Sequence, residues 1–524
     1  MLVRHLARGS RHQSTLQQRI QQSAIILSRC ETVNGLEHFS CHGLTHPPPT
    51  HMMIADRILF PSAEPSEPSA LFTLFTPGRP SPLMLPMQIP ADSKQLAQLY
   101  QRGEAVLPGG VCSSTRRNKA WDAPVYAQKA DGSRFWDLAG REFLDFSMSH
   151  GATLLGHNPP CLQQALQTAW DHGILCSMDT PFHIELAEEL CRILPCAEQV
   201  RFTNSGSEAT LHALRLCRAA SGRDKIIRFF GHFHGYHEFT YIAGHPPADQ
   251  LDAQPPYRES AGIPESMAEL IIPVQYNDFE ALETAVSTHA HEAGTLLVEP
   301  VVYNCGCITP VPGFLEAARE LANQHDLILF FDEIQSFAKA SPGGAQQDFG
   351  VTPDLCTIGK SLGGGLPLSV IAGRTELMQL YAPTGPVAHS GTFNAPLTSI
   401  LSGLAFVDQI KRPGFWKTIN GLGDVLFAEL DAIARRSTVP VVFQHHGSRF
   451  GIVFGTREPV TNYSEALVHD PEHMLEFCRQ TTQRGVYFHD YGGSPCHHGY
   501  SLAHSLTDIH QALEAVEDSL KAMA

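Results

Sequence analysis

The uninterrupted apolar run Leu327-Ile328-Leu329-Phe330-Phe331, closed abruptly by Asp332-Glu333, constrains this chain more than any other feature. A strand without polar alternation is buried on both faces, the pattern of a parallel sheet covered by helices. Open α/β sheets of that kind place their ligands at the carboxyl ends of the strands, where Asp332 falls. Leu355-Cys356-Thr357-Ile358 predicts a second short buried strand. It delivers Lys360, in the loop Gly359-Lys360-Ser361-Leu362-Gly363-Gly364-Gly365, to the same edge.

A lysine amine can hold an aldehyde cofactor as a Schiff base, and a carboxylate facing a pyridine nitrogen keeps that nitrogen protonated and the ring electron-withdrawing. Lys360 and Asp332 together therefore suggest pyridoxal phosphate chemistry. Either alone is a weak signal, because strand-end aspartates are common and the glycine-rich string also reads as a plain loop. Further segments add to the pair. Arg201-Phe202-Thr203-Asn204-Ser205-Gly206-Ser207-Glu208-Ala209 leads into Leu211, Ala213, Leu214, Leu216 and Cys217, a helical spacing opened by small residues whose amides suit a phosphate. Phe233-His234-Gly235 follows the strand-like Lys225-Ile226-Ile227-Arg228-Phe229 and offers a flat ring to a pyridine face.

Taken in order, Ser205-Gly206-Ser207-Glu208-Ala209, Phe233-His234-Gly235, Val298-Glu299-Pro300-Val301 with Asn304, Asp332-Glu333-Ile334-Gln335, Lys360 and Ser390-Gly391-Thr392-Phe393-Asn394 resemble the motif series of the class III aminotransferases. Leu107-Pro108-Gly109-Gly110-Val111-Cys112-Ser113-Ser114-Thr115-Arg116 looks like the amino-terminal signature of the glutamate-1-semialdehyde aminomutase branch, and the similarity runs from roughly Ser93 to the end. The resemblance implies fold type I of the pyridoxal-phosphate-dependent transferases. It implies Lys360 as the Schiff-base lysine and Asp332 as partner of the pyridine nitrogen. Ser205, Gly206 and Ser207 would form the phosphate cup, and Phe233 the stacking ring with His234 beside it. Asn304 and Gln335 would lie near the phenolic oxygen. Thr392 matches a threonine that reaches the phosphate of the neighbouring subunit, which implies a homodimer. Arg116 matches an arginine that holds a substrate carboxylate, a task suited to a planar fork; the plain alternative is a solvated arginine beside Arg117. Ser149 matches a serine near the substrate, while His150 stands where a tryptophan is usual.

Two departures bear on function. The aminomutases carry a substrate-facing glutamate near the carboxyl end, and no glutamate occurs here between Glu476 and Glu514. That argues against glutamate-1-semialdehyde as substrate. Asn394-Ala395-Pro396-Leu397 is one residue shorter than the usual motif beside Thr392. The leading expectation is a transaminase passing an amino group from a β- or ω-amino acid type of donor to a keto acceptor, both small molecules. An intramolecular aminomutase is the alternative, and a degenerate cofactor-binding scaffold is disfavoured by the joint presence of Lys360, Asp332 and Thr392.

The chain of 524 residues is 43% hydrophobic with a formal charge of −16, ample to bury a core and a poor match for nucleic acid or an anionic membrane. No apolar run approaches the roughly 20 residues needed to span a bilayer. Thirteen cysteines without a C-x-x-C pair read as reduced thiols, which suits a cytoplasmic protein. His232, His234 and His237, and Cys496-His497-His498, lack the paired spacing of a zinc site, so no metal is expected. Residues 1–92 differ in kind. Arg4, Arg8, Arg11, Arg19 and Arg29 precede the first acid, Glu31, in the manner of a mitochondrial transit segment, but the Pro-rich continuation favours a disordered extension.

From Ser93 onward the expected class is α/β. A doubly wound, mostly parallel cofactor domain over 172–402 would be joined by a smaller, discontinuous α+β domain built from 93–171 and 403–524. Gly313–Ala322 predicts a helix with Phe314, Leu315, Ala318, Leu321 and Ala322 on one face, and Asp508–Val516 another, with Thr507 as its cap.

Overall fold

The computed structural model describes residues 93–524. The expectations for the amino-terminal extension lie outside the described residues. Seven strands form the main sheet: β1 (Gln199–Thr203), β2 (Lys225–Phe229), β3 (Ile271–Val274), β4 (Ala293–Val298), β5 (Ile328–Glu333), β6 (Leu355–Ile358) and β7 (Ser369–Gly373). Their spatial order is β1-β7-β6-β5-β4-β2-β3. The pairs β6/β5, β5/β4, β4/β2 and β2/β3 are parallel, whereas β7 runs antiparallel to both neighbours. The expected doubly wound, mostly parallel sheet is present.

The run that opens the sequence reading forms β5, and all six of its residues are buried, Asp332 and Glu333 included. Central β4 is equally buried, because helices cover both faces and leave no solvated side for polar alternation. The register pairs Asp332 with Thr357, so the strand ends that carry Asp332 and Lys360 lie side by side. Helix α1 (Gly206–Ser221) follows β1 and buries Ala209, Ala213, Leu214, Leu216 and Cys217. The helix Phe314–Gln324 buries Phe314, Leu315, Ala318 and Ala322, while Leu321 stays partly exposed at the rim of the predicted face.

Segments distant in sequence meet outside this sheet. Val486–Tyr487 pairs in parallel with Glu142–Asp145, which continues antiparallel into Arg134–Asp137 and Ala127–Asp131. Val441–His446, Arg449–Phe454 and His497–Gly499 form a further antiparallel sheet. The last helix runs over Leu506–Met523, earlier than predicted, and its cap is Ser505 rather than Thr507. The Ser505 hydroxyl accepts from the Asp508 amide (3.1 Å) while the Asp508 carboxylate accepts from the Ser505 amide (2.9 Å), a reciprocal box that only the spacing of these two residues allows. Asp508 also takes an ion pair from Arg134 (2.6 Å), tying the helix to the amino-terminal half.

Replacing Ser505 by Ala is expected to cost about 1 kcal/mol through loss of the cap. Replacing the fully buried Leu329 by Ala is expected to cost about 2–5 kcal/mol through the cavity left in β5. Chemical denaturation of the two variants checks both magnitudes.

Candidate active site

At the carboxyl edge of the sheet the strand ends enclose a cavity of about 420 Å³ whose lining includes Ser205, Gly206, Phe233, Asp332 and Lys360. Ser207, His234, Asn304 and Gln335 line it as well, so sequence-marked residues from five separate segments converge. A second cavity of about 630 Å³ adjoins it, and Phe233, Asn304 and Lys360 line both. A wider groove of about 1000 Å³ flanks edge strand β3 and contains none of the residues the sequence marks.

Each polar group of the inner cavity has a local cause. Ser205 caps α1, its hydroxyl accepting from the Glu208 amide (3.3 Å), while the Glu208 carboxylate accepts from the Asn204 amide (2.8 Å). The amides of Gly206 and Ser207, in the first turn, have no intrahelical acceptor and carry the positive end of the helix dipole. A side chain at Gly206 would press on Ile334 at 3.1 Å, and one at Gly235, whose φ is +102°, would strike the Ser207 hydroxyl at 2.6 Å. The cradle is therefore open because these two positions lack a Cβ.

Asp332 is 3% exposed, and donors surround it. His234 Nδ1 donates to Oδ2 (2.8 Å), and the Thr357 hydroxyl (2.9 Å) and Ile334 amide (3.1 Å) donate to Oδ1. Burial lowers the His234 pKa against the opposing pull of Asp332. The neutral ring therefore keeps its proton on Nδ1 and leaves Nε2 buried without a partner. Lys360 sits in the left-handed region (φ +42°), where a non-glycine residue is strained, as is common at functional positions. Burial lowers its pKa to about 8, partly offset by the nearby Glu299 and Asp332 carboxylates.

Glu299, read from sequence only as part of a motif, lines the same cavity. Burial and the Asp332 charge raise its pKa to about 8, although the Phe233 amide donates to it (3.1 Å). The signal that would have found it is the one that found Asp332: a carboxylate ending a fully buried strand. His232, His234 and His237 take separate partners, the Glu299 amide, Asp332 and Thr210.

The outer cavity is walled by His150, Tyr491, Cys496 and His497, and among the described residues no carboxylate lines it. His150 stands on a left-handed turn, Met148–Gly151, with φ from +47° to +88°, and its Nδ1 pairs with the Tyr491 hydroxyl (2.8 Å). Burial, with His489 and Lys360 nearby, pushes its pKa down to about 3. Ser149, on the same turn, is exposed and lines neither cavity. Arg116 is likewise exposed and outside both linings, though its neighbour Thr115 lines the outer one. Thr392 is also exposed and in neither lining, though Asn394 two residues on accepts from Asn204 (3.0 Å) of the inner lining.

The family model for class III aminotransferases matches residues 116–520. The chain belongs to the class III aminotransferases. A glutamate-1-semialdehyde 2,1-aminomutase of Methanosarcina acetivorans is 36% identical over 424 residues, spanning 81% of this chain and 97% of its own. Among solved structures, an omega-transaminase from Sphaerobacter thermophilus matches with a TM-score of 0.75 at 29% identity, over 81% of this chain and 97% of its own. A β-phenylalanine aminotransferase from Variovorax paradoxus matches with a TM-score of 0.73 at 28% identity, over 82% and 94%. This class III aminotransferase is thus a pyridoxal-phosphate-dependent enzyme with the type I fold. Its inner cavity fits that cofactor: an anion cradle at the start of α1, a carboxylate and a lysine at adjoining strand ends, and two unpartnered buried atoms, His234 Nε2 and Gln335 Oε1. Among the described residues no helix is long and apolar enough to cross a membrane.

The lowered pKa of Lys360 gives a direct test in the apo-protein. Only the neutral amine attacks an amine-directed reagent, so labelling of Lys360 should rise as pH climbs to about 8 and level off above it. Peptide mass spectrometry across a pH series checks this; a rate still climbing toward the ordinary lysine value of 10.5 would contradict it.

Proposed function

We propose that this enzyme transfers an amino group from a carboxylate-bearing amine, of β- or ω-amino acid type, to a keto acceptor. The observation that carries this reading is the position of Lys360, which lines the inner, cofactor-sized cavity and the outer one together. A group there reaches both a cofactor and a substrate. Pyridoxal phosphate, when bound, supplies an aldehyde that condenses with amines and a protonated ring that accepts electrons.

The chain's own residues divide the remaining work. The amides of Gly206 and Ser207, with the Ser205 hydroxyl, hold the phosphate at the dipole end of α1. Asp332 is fixed by three donors, so its carboxylate meets the pyridine nitrogen without reorganising. Phe233 bounds one ring face, while Asn304 and Gln335 stand toward the phenolic oxygen. Lys360, its amine lowered to about 8, would take up the proton leaving the substrate carbon and hold it for return. Arg116 and Ser149, which line neither cavity, would meet the substrate from beside the outer one, next to Thr115 and His150 of its wall.

The same proposal makes the enzyme a homodimer. Exposed Thr392 serves the phosphate of the partner subunit, since it has no site to serve in its own chain. It also groups 93–171 with 403–524 as a small domain around the cofactor domain 172–402, a division supported by the strand pairing of Val486–Tyr487 with Glu142–Asp145.

An aminomutase is the second reading, favoured by the 36% identical Methanosarcina relative. The absence of any carboxylate in the outer lining weighs against it. With pyridoxal phosphate bound, the wild type is expected to lose its lysine-linked visible absorption when a β-amino acid is added without keto acid, and to recover it when a keto acid follows. Lys360→Ala should show neither change, and turnover independent of any keto acid would select the aminomutase. Mixed Lys360→Ala and Thr392→Ala protomers should regain turnover that neither variant has alone, because one site of such a dimer is intact; absence of recovery removes Thr392 from the partner's site.

A further inference from the structure

The outer cavity has a charge asymmetry that the proposed roles leave unused. Arg449 is 1% exposed, and among the described residues it forms no ion pair. Its Nη1 donates to the Ser147 carbonyl (3.2 Å), its Nη2 to His497 Nδ1 (2.5 Å) and the His497 carbonyl (3.1 Å), and its buried Nε has no acceptor. Lys339 is fully buried as well, donating to the Gly151 carbonyl (2.7 Å) and to the Ser361 hydroxyl. Arg449 is thus a cation enclosed behind one wall of the cavity with carbonyls and a ring nitrogen as its direct partners, whereas burial, with Arg449 and Lys360 nearby, pushes the Lys339 pKa well down; among the described residues no carboxylate lines that cavity. A buried guanidinium with no carboxylate in contact is costly, and its field favours an anion at the nearest open surface.

His497 is that surface. A guanidinium has no lone pair to offer, so the 2.5 Å contact requires His497 Nδ1 to be the acceptor. The Gln335 amide, 3.0 Å away, donates to the same nitrogen for the same reason. The ring proton therefore sits on Nε2, which has no partner among the described residues, and the residue lines the outer cavity together with Lys360. A cation bonded to one nitrogen polarises the ring and strengthens the donor on the other. Tyr491 and Tyr303 pack against the ring edge-on or tilted, with centroids 5.5 and 6.2 Å away, and fix its orientation.

We infer that His497, backed by Arg449, is an inner carboxylate-binding group of the outer cavity, donating its Nε2–H to the carboxylate of a β- or ω-amino acid whose amine lies at Lys360. This rests on the transaminase reading above and adds to it a specificity residue distinct from Arg116. His497 touches the substrate in this scheme, while Arg449 acts through it as a positioning residue.

The holoenzyme is titrated with hydrocinnamate and its neutral isostere hydrocinnamide, following the visible absorption of the bound cofactor. It is also turned over with β-phenylalanine and α-methylbenzylamine, which differ by the carboxylate. The wild type is expected to prefer the acid over the amide. His497→Phe should weaken the acid about ten- to a hundredfold, in KM for the amino acid rather than kcat, and change α-methylbenzylamine by less than about threefold, as loss of one hydrogen bond to a charged group predicts. His497→Gln, which keeps an N–H of similar reach, should restore most of the preference. Equal losses on acid and neutral ligand, or an acid preference that survives His497→Phe and disappears in Arg116→Ala, would overturn the assignment, as would a wild type with no acid preference. If neither amine is turned over while the acid preference still depends on His497, the donor reading fails and the anion site stands.

Discussion

Burial of charge at the ends of β4, β5 and β6 is the constraint on which the rest of this structure depends. Asp332 lies in the low-dielectric middle of the chain, where a carboxylate is tolerated only when hydrogen bonds replace its water. Those bonds come from three elements: His234 after β2, Thr357 on β6 and the Ile334 amide beyond β5. Slipping β6 by one residue against β5 would turn Thr357 to the opposite face and leave Oδ1 short of a donor. The sheet register and the chemistry of the edge are therefore one requirement. Glu299 and Lys360 share the same confined space, and burial moves the acid up and the amine down toward a common range. A proton between such groups moves at small cost.

A second constraint is the left-handed turn Met148–Gly151. Three consecutive non-glycine residues in that conformation cost roughly 1–2 kcal/mol each. The turn is held from outside itself: Arg449 binds the Ser147 carbonyl, Lys339 binds that of Gly151, and Asp145 accepts from the Ser147 and Met148 amides. The strain places His150 in the cavity wall against Tyr491 and makes the amino-terminal segment answer to strands near the carboxyl end. Arg449 thus fixes the turn with one side of its guanidinium and His497 with the other.

Relatives that share this sheet include an aminomutase and transaminases, so the inner cavity cannot by itself separate those reactions. The outer wall is formed by the turn at His150 and by the carboxyl-terminal stretch with Tyr491, Cys496 and His497, and among the described residues histidine, tyrosine and cysteine line it while acids do not.

The sequence by itself determined the sheet, its ligand-bearing edge and the inner cavity. Buried strands announce themselves by unbroken apolar runs, and motif residues next to strand ends travel with them, so Asp332, Lys360, Ser205, Gly206, Ser207, Phe233, His234, Asn304 and Gln335 come together as read. It did not reveal that Arg449 and Lys339 are buried, since a charged residue within a polar stretch normally reads as solvated surface. Nor did it show His497 in the cavity wall with Nδ1 accepting from Arg449, or Arg116, Ser149 and Thr392 as exposed in the single chain. Those outcomes depend on packing between segments hundreds of residues apart. Local spacing encodes which face of an element is apolar, whereas only tertiary structure decides which polar groups are shut away from water and what they then must bind.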